Sequence, residues 1–157
     1  EICSAIKNIF SMAMGASEEL CSTTISSQLK KKNYLNTAAT LLQQSIYEMI
    51  IFTENQKGKK ETVMGLAGIG DLYVSDKGGR NSKMGQYLGQ GMTFKEAKKT
   101  KMPNDIVEGA DLAIEIGSKV KSDFSIETLP LMLSIVDTIC DEKPLKINWS
   151  NFKLSTL

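Results

Sequence analysis

The 157-residue chain is long enough for one domain with a buried core and too short for two ordinary domains. Hydrophobic residues make up 41% and charged residues 24%, and a formal net charge of +1 gives no general attraction to nucleic acid or anionic lipid. The chain has no histidine, which excludes Ser-His-Asp and Cys-His nucleophile systems and most zinc or iron sites, because each needs an imidazole.

The lack of a recognisable targeting signal and the spacing of the cysteines both bear on the cellular compartment. No apolar run approaches the roughly 20 residues of a membrane span, and the first residues do not have the pattern of a secretory signal. Cys3, Cys21 and Cys140 are odd in number and widely spaced, which argues against a disulfide framework or a zinc site. These features predict a cytoplasmic protein with no membrane association and no metal.

Apolar residues at helical spacing predict two long, substantially buried helices, the first from Ile2 to Ala13 and the second from Leu41 to Ile50. The Ser, Thr and Lys content of residues 21–35 predicts an exposed excursion between them. Further helices are predicted over 60–67, 81–89, 93–100, 106–121 and 127–140. The segment "DLYVS" is a candidate short strand, but no stretch could anchor a sheet, so the predicted fold class is all-α.

A helix start is marked by Thr93 and Glu96, which have the spacing of a capping box. In such a box the threonine accepts from the first helical turn and the glutamate reaches back. The pattern therefore predicts that a helix begins next to Thr93.

The run "GLAGIGDLYVSDKGGRN", residues 65–81, is rich in glycine and raises the possibility of a phosphate site. Its first half is not a dinucleotide fingerprint, because Tyr73 stands where the third glycine belongs and the preceding segment is helical in pattern. It is not a Walker A loop either, because Asp71 stands where the lysine must reach the phosphates. Gly65, Gly68 and Gly70 are better explained by close helix packing and a sharp turn that presents Asp71.

The second half of the run, "KGGRN", places two glycines before Arg80 and Asn81, and a helix is predicted to begin at about Ser82. Free backbone N–H groups, a helix dipole, a guanidinium and an amide would then meet in one place, which suits an anion. The alternative is an ordinary glycine turn with an N-cap and a surface arginine. The residues alone leave both open.

Lys7 is the only charged residue between Ile2 and Ser17. A buried ammonium needs a route to water or a carboxylate partner. Lys7 could therefore extend its charged end to solvent, or it could pair with Asp71 in a cleft and serve in acid/base chemistry. Since histidine is absent, Lys7 is the leading acid/base candidate.

Five short motifs occur in an order and spacing that resemble the C-terminal substrate domain of NAD(P)-dependent glycerol-3-phosphate dehydrogenase. They are "AIKN", "GLAGIGDL", "GGRN", "LGQGMTFKEA" and "VEG". The resemblance covers nearly the whole chain and implies a multi-helix bundle similar to the C-terminal domain of 6-phosphogluconate dehydrogenase. The N-terminal Rossmann domain of the family is missing here, so residues 1–157 are expected to form a single helical domain that is inactive alone.

The resemblance implies roles in interconverting dihydroxyacetone phosphate and sn-glycerol 3-phosphate. Lys7 would be the catalytic lysine that holds and protonates the substrate oxygen, and Asp71 would be its partner at the reacting end. The implied substrate-binding residues are Asn8, Ser75, Gly79, Arg80 and Asn81. The implied cofactor contacts are Arg80, Ile106 and Glu108. NAD or NADP would be held mainly by the missing domain, and relatives suggest a homodimer.

The chain departs from the family pattern in the second long helix, where Ala38 and Gln44 replace a lysine and an arginine that relatives usually have. Residues 21–35 also form a longer connection than usual. These departures keep open an alternative hypothesis from another class, a noncatalytic helical module for dimerisation or partner binding. Dehydrogenases of 2-hydroxyacids or of phosphogluconate are disfavoured because their helical domains have other motifs.

Overall fold

A computed structural model describes residues 1–21 and 27–153, with the backbone alone for residues 27–33. Within these ranges the chain is helical and has no strand, which confirms the predicted all-α class. The α-helices are α1 (Ile2–Gly15), α2 (Ser17–Leu20), α3 (Ser27–Asn55), α4 (Lys60–Met64), α5 (Asp71–Asp76), α6 (Arg80–Gly89), α7 (Phe94–Thr100), α8 (Glu108–Asp123) and α9 (Pro130–Cys140). A π-helix covers Leu66–Gly70 and a short 3₁₀-helix covers Trp149–Asn151.

Helix α1 lies at the centre of the fold and packs against α3, α5, α6, α8 and α9. Residues 9–14 are all buried, because this half of the helix carries only apolar and small side chains. A helix that is apolar all round is stable in water only when others surround it. The central position of α1 places Lys7 and Asn8, which directly precede the buried half, in contact with α5 and α6.

Helices α1 and α6 approach so closely that their backbones touch. A Cβ atom on Gly85 would lie 1.9 Å from the carbonyl oxygen of Met12, and one on Gly15 would lie 2.0 Å from that of Ser82. Any side chain at either glycine would force the helices apart. This contact fixes how α6 crosses α1, with Ser82 beside Gly15 at the end of α1 and Gly85 beside Met12.

A buried carboxylate joins α3 to α9. Glu48 is fully buried, and its two oxygens accept the backbone N–H groups of Leu131 and Met132 at 2.7 Å, at the start of α9. The amide of Gln44 donates to the same carboxylate, and its oxygen accepts the N–H of Lys153. Burial raises the pKa of Glu48 to about 7, although these three donors act to lower it. Gln44, one of the two departures, is thus a structural contact.

The predicted excursion at 21–35 is wrong in its second part. Residues 22–26 lie outside the described residues, but α3 begins at Ser27, so residues 27–35 are helical. The sequence from 27 to 55 contains neither glycine nor proline, so nothing in it stops a helix that is anchored further along. A composition rich in Ser, Thr and Lys does not distinguish an excursion from a helix.

The candidate strand "DLYVS" is also wrong, because these residues form most of α5. The helix predicted over 60–67 ends at Met64, and the π-helix follows. A Cβ atom on Gly68 would lie 2.0 Å from the carbonyl oxygen of Val63, so close packing at this glycine is confirmed. The chain bends at Gly65, which is extended between α4 and the π-helix, whereas Gly70 has helical φ −61° and ψ −47° and leads directly into α5. The bend therefore lies before the π-helix and not next to Asp71.

The later helices agree with prediction to within three residues. Thr93 caps α7 by accepting the N–H of Glu96, as its spacing predicts. Helix α9 begins at Pro130, not at 127, because proline has no N–H to donate and suits the first helical position. None of the helices among the described residues combines the length and apolar character that crossing a bilayer requires.

Candidate active site

The ammonium of Lys7 is held by two groups of α5. Its Nζ lies 2.7 Å from Oδ1 of Asp71 and donates to Oγ of Ser75 at 2.9 Å. Asp71 and Ser75 are four residues apart and so share one face of the helix. The side chains of Lys7 and Asp71 are 14% and 37% exposed, which leaves the pair reachable from solvent. The structure therefore decides between the two possibilities for Lys7: it forms the ion pair.

An ammonium has three N–H groups, and those two contacts use two of them. The hydroxyl of Ser75 accepts from Lys7, so its own hydrogen remains to donate elsewhere. A third donor of Lys7 and the hydroxyl of Ser75 could therefore meet oxygen atoms of a small molecule placed beside Asp71.

The glycine turn at 78–79 starts α6. Gly78 has φ +121°, a conformation that other residues rarely adopt, and Gly79 is extended and caps the helix. The helix begins at Arg80, two residues before the predicted start at Ser82. Amides of a first helical turn have no partner within the helix and carry the positive end of its dipole. Arg80 thus projects from an end that favours anions.

The guanidinium of Arg80 forms an ion pair with Glu108 at the start of α8. Nη2 of Arg80 donates to Oε1 of Glu108, and the side chains are 49% and 43% exposed. This contact joins residues 28 positions apart. The cation predicted to bind phosphate is therefore paired with a carboxylate of the same chain.

Asn81 connects α1, α6 and α8. This residue is 6% exposed, and its amide nitrogen donates to Oδ1 of Asn8 at 3.2 Å and faces Oε2 of Glu108 at 3.5 Å. Its oxygen accepts the N–H of Gly109 at 2.8 Å. A Cβ atom on Gly109 would lie 2.3 Å from the carbonyl oxygen of Asn8, so α8 approaches α1 as closely as α6 does. Asn81 is thus a junction of three helices.

These contacts bring most of the predicted site residues together. Lys7 precedes Asn8 in α1, so the Lys7–Asp71–Ser75 group continues into the group of Asn8, Asn81, Glu108 and Arg80. Gly79 belongs to the same place as the cap of α6. Ile106, which is 61% exposed, is linked to the others only through the chain, two residues before Glu108.

Two neighbours of the site were not identified from the sequence. Leu66 and Val74 are 88% and 68% exposed and line an open depression with Gly70 and Asp71. Buried Cys3 lies one turn before Lys7, and the pKa of its thiol is raised by burial and, to a smaller extent, by the charge of Asp71. The depression is formed along the π-helix and α5, where Leu66, Gly70 and Val74 are four residues apart, whereas the effect of Asp71 on Cys3 depends on how α1 and α5 meet.

Comparisons with known proteins identify the family of this chain. A family profile described as NAD-dependent glycerol-3-phosphate dehydrogenase C-terminus matches residues 1–148. The chain is 33% identical over 130 residues to an NADP(+)-dependent glycerol-3-phosphate dehydrogenase of Archaeoglobus fulgidus, covering 78% of this chain and 36% of that protein. It is 29% identical over 149 residues to a glycerol-3-phosphate dehydrogenase [NAD(P)+] of Agathobacter rectalis, covering 93% and 40%.

A solved structure has the same fold. The crystal structure of glycerol-3-phosphate dehydrogenase from Coxiella burnetii superposes with a TM-score of 0.69 and 26% identity, over 92% of this chain and 40% of that chain. The present chain therefore spans well under half the length of these relatives. The chain belongs to the NAD-dependent glycerol-3-phosphate dehydrogenase family and corresponds to its C-terminal domain.

Proposed function

We propose that this chain is the substrate-binding and catalytic domain of an NAD(P)-dependent enzyme that interconverts dihydroxyacetone phosphate and sn-glycerol 3-phosphate. One observation carries the proposal. Lys7 is held against Asp71 and Ser75, while the next residue, Asn8, contacts the neighbour of Arg80. The ammonium proposed to transfer the proton and the cation proposed to bind phosphate are thus linked through two consecutive residues of α1.

Lys7 has the position and chemistry to act on the reacting oxygen. Its remaining N–H group would donate to the carbonyl oxygen of dihydroxyacetone phosphate and deliver a proton as that oxygen gains negative charge. In the opposite direction the neutral amine would accept the hydroxyl proton. Asp71 stabilises and orients the ammonium, and Ser75 fixes its direction and offers its hydroxyl to the substrate.

The phosphate would be bound at the start of α6. Arg80 supplies a planar guanidinium, and the first-turn amides at 80–82 supply backbone donors with the favourable end of the dipole. Gly79 lets the backbone come close to the phosphate. Asn8 and Asn81 would complete the substrate surface between this end and Lys7.

A nicotinamide dinucleotide fits only the edge of this chain. Arg80, Ile106 and Glu108 lie on the exposed rim and could contact it, but the glycine-rich run is a π-helix that continues into α5, which offers no strand-turn-helix for a pyrophosphate. The nicotinamide, when bound, supplies or accepts the hydride. Its binding would therefore rest mainly on a separate Rossmann domain, and this chain alone would not turn over.

The proposal includes a cytoplasmic location and assembly as a homodimer. Cys3, Cys21 and Cys140 are free thiols, which suits a reducing cytoplasm. The homodimer stays a prediction.

The alternative of a noncatalytic module is not favoured. Its basis was the altered second helix, but Gln44 contacts Glu48 and Lys153, and Ala38 packs against the core. Both departures thus have roles in packing. The contacts that join Lys7 to Asp71 and Asn8 to Asn81 do not involve them.

The proposal is tested in the longer polypeptide that joins this chain to its dinucleotide-binding domain. Reduction of dihydroxyacetone phosphate and of unphosphorylated dihydroxyacetone is compared for the wild type and Arg80→Ala. We expect kcat/KM for the phosphate ester to fall by roughly 100-fold, mainly through KM, because charged hydrogen bonds to phosphate are lost. The value for dihydroxyacetone should change little.

The matched control is Lys77→Ala, which removes one exposed positive charge from the neighbouring loop. It should leave the preference for the phosphate ester within about two-fold of the wild-type value, as expected for a screened surface charge. An Arg80→Ala enzyme with an unchanged KM for dihydroxyacetone phosphate would reject the phosphate assignment. Absence of any reduction of that substrate by the wild type would reject the proposed activity.

A further inference from the structure

The proposed site has no net charge. Its two cations, Lys7 and Arg80, are each paired with a carboxylate, Asp71 and Glu108. A phosphate monoester carries up to two negative charges, so an electrically balanced site offers it little attraction. Either Asp71 or Glu108 must leave its cation before the phosphate can form an ion pair with that cation.

Glu108 is placed where a phosphate would compete with it. One of its oxygens accepts from the guanidinium of Arg80, and the other lies 3.5 Å from the amide nitrogen of Asn81. These are two of the side chains proposed to bind phosphate. A carboxylate with two oxygens on these donors occupies the positions that two phosphate oxygens would take.

Exposure decides which carboxylate yields. Arg80 and Glu108 are both nearly half exposed, and exposed ion pairs contribute little stability because water screens them. Lys7 is much less exposed and has Ser75 as a second partner. Displacing Glu108 therefore costs less than displacing Asp71.

We propose that Glu108 is an internal counter-ion that competes with the substrate phosphate for Arg80 and so sets the affinity of the site. Phosphate binding displaces the carboxylate into solvent at the first turn of α8, where the helix dipole still favours it. This inference rests on the proposed function. It assigns Glu108 a role in substrate affinity that is separate from any contact with the dinucleotide.

The test is a calorimetric titration of the 157-residue chain with inorganic phosphate and with sn-glycerol 3-phosphate. Glu108→Gln keeps the shape of the side chain and removes its charge, so we expect both anions to bind roughly five-fold more tightly. The matched control is Glu115→Gln, the same change two turns along α8, about 10 Å further from the site. Screening should leave its affinity within about 1.5-fold of wild type.

Each result decides a separate point. An affinity of Glu108→Gln equal to or below that of wild type would overturn the inference, and so would an equal gain in Glu115→Gln. If Arg80→Ala bound phosphate as well as the wild type, the phosphate site of the proposed function would fall instead. If neither the wild type nor Glu108→Gln bound either anion, both would be rejected.

A second measurement follows Glu108 itself. The carboxyl ¹³C resonance of Glu108, assigned by its loss in Glu108→Gln, is recorded during a phosphate titration of the wild type. We expect it to move toward the position of a solvated glutamate as Arg80 is taken over. Arg80 is the only arginine of the chain, so its side-chain N–H resonance reports the same exchange without overlap. A Glu108 signal that stays fixed at phosphate saturation would contradict displacement.

Discussion

The two ion pairs of the site differ in how firmly the fold holds them. Lys7 is 14% exposed and is held by both Asp71 and Ser75, whereas Arg80 and Glu108 are 49% and 43% exposed and meet at the rim. Proton transfer needs a donor fixed in direction, and anion binding needs a cation that can change partner. Under the proposed function, one site would combine a firmly held reacting end with a binding end that can change its partner.

The packing of the helices accounts for this difference. Lys7 belongs to the central helix α1, and α5 packs directly on it. Arg80 and Glu108 are the first residues of α6 and α8, so their side chains extend beyond the ends of packed helices. Asn81 and Gly109, the next residues in each case, are buried and tie these ends to α1. Asn81 and Gly109 therefore hold the backbone at the starts of α6 and α8 in place, while the side chains of Arg80 and Glu108 extend into solvent.

Replacing Lys7 breaks the rigid end and has the largest expected effect. We expect Lys7→Ala to lower kcat for dihydroxyacetone phosphate in the longer polypeptide by roughly 1,000-fold, because the proposed proton donor is removed. Lys119→Ala is the control, since Lys119 is 67% exposed and pairs with Asp123 away from the site. Turnover of Lys7→Ala within ten-fold of the wild type would contradict the role of Lys7.

Gly109→Ala tests the close contact between α8 and α1, which lies between the Lys7–Asp71 and Arg80–Glu108 ion pairs. The added Cβ would lie 2.3 Å from the carbonyl oxygen of Asn8 and 3.0 Å from Oδ1 of Asn81, so α8 must move away from α1. We expect the free energy of unfolding to fall by about 1–3 kcal/mol, measured by urea denaturation. Gly65→Ala is the control, because its nearest contact is 3.3 Å and its position is exposed. Equal stability of the two variants would show that the close approach is not needed.

Glu48 extends the comparison to a carboxylate that is fully buried. The pKa of Glu48 is raised by burial from 4.5 to about 7, so between these values the folded protein holds a proton that the unfolded chain releases. The stabilisation is thus full below pH 4.5 and is lost as the pH rises to about 7. This group should therefore stabilise the fold as the pH falls from 7 toward 4.5, by up to about 3 kcal/mol.

Glu48→Gln supplies the reference for that measurement, because glutamine does not titrate. The difference in unfolding free energy between the wild type and Glu48→Gln should grow in favour of the wild type as the pH is lowered from 8 to 5. Other acidic groups cancel in this difference, and the chain has no histidine to complicate the range. A difference that stays constant or shrinks on acidification would show that Glu48 is ionised in the folded protein.

Ser75→Ala tests how much the second partner of Lys7 contributes to kcat, and its expected effect is the smallest. It removes the second acceptor of Lys7 and leaves the pair with Asp71, so kcat should fall by about ten-fold. Ser75→Thr keeps the hydroxyl and should restore at least half of the wild-type kcat. Failure of threonine to do better than alanine would assign the loss to packing and not to the hydrogen bond.

Local patterns predicted most helices, because apolar residues three and four apart lie on one face of a helix. They failed where tertiary contacts override local preference. "DLYVS" reads as a strand by its residues but forms α5, which packs on α1, and residues 27–35 read as a loop but continue α3. Glu48 was missed as well, although an acidic residue inside the apolar run "IYEMIIF" is a usable signal of a buried, hydrogen-bonded carboxylate.

The sequence by itself determined the fold class, the absence of imidazole chemistry and the prominence of Lys7 and Arg80, because these follow from composition, helical periodicity and short motifs. Only the tertiary structure showed that Lys7 pairs with Asp71 instead of extending its ammonium to solvent, and that Arg80 pairs with Glu108. Lys7 meets Asp71 across 64 positions of chain and Arg80 meets Glu108 across 28, and no local pattern encodes such distances. Partner choice depends on how closely whole helices approach, which the buried glycines and the central helix α1 set together.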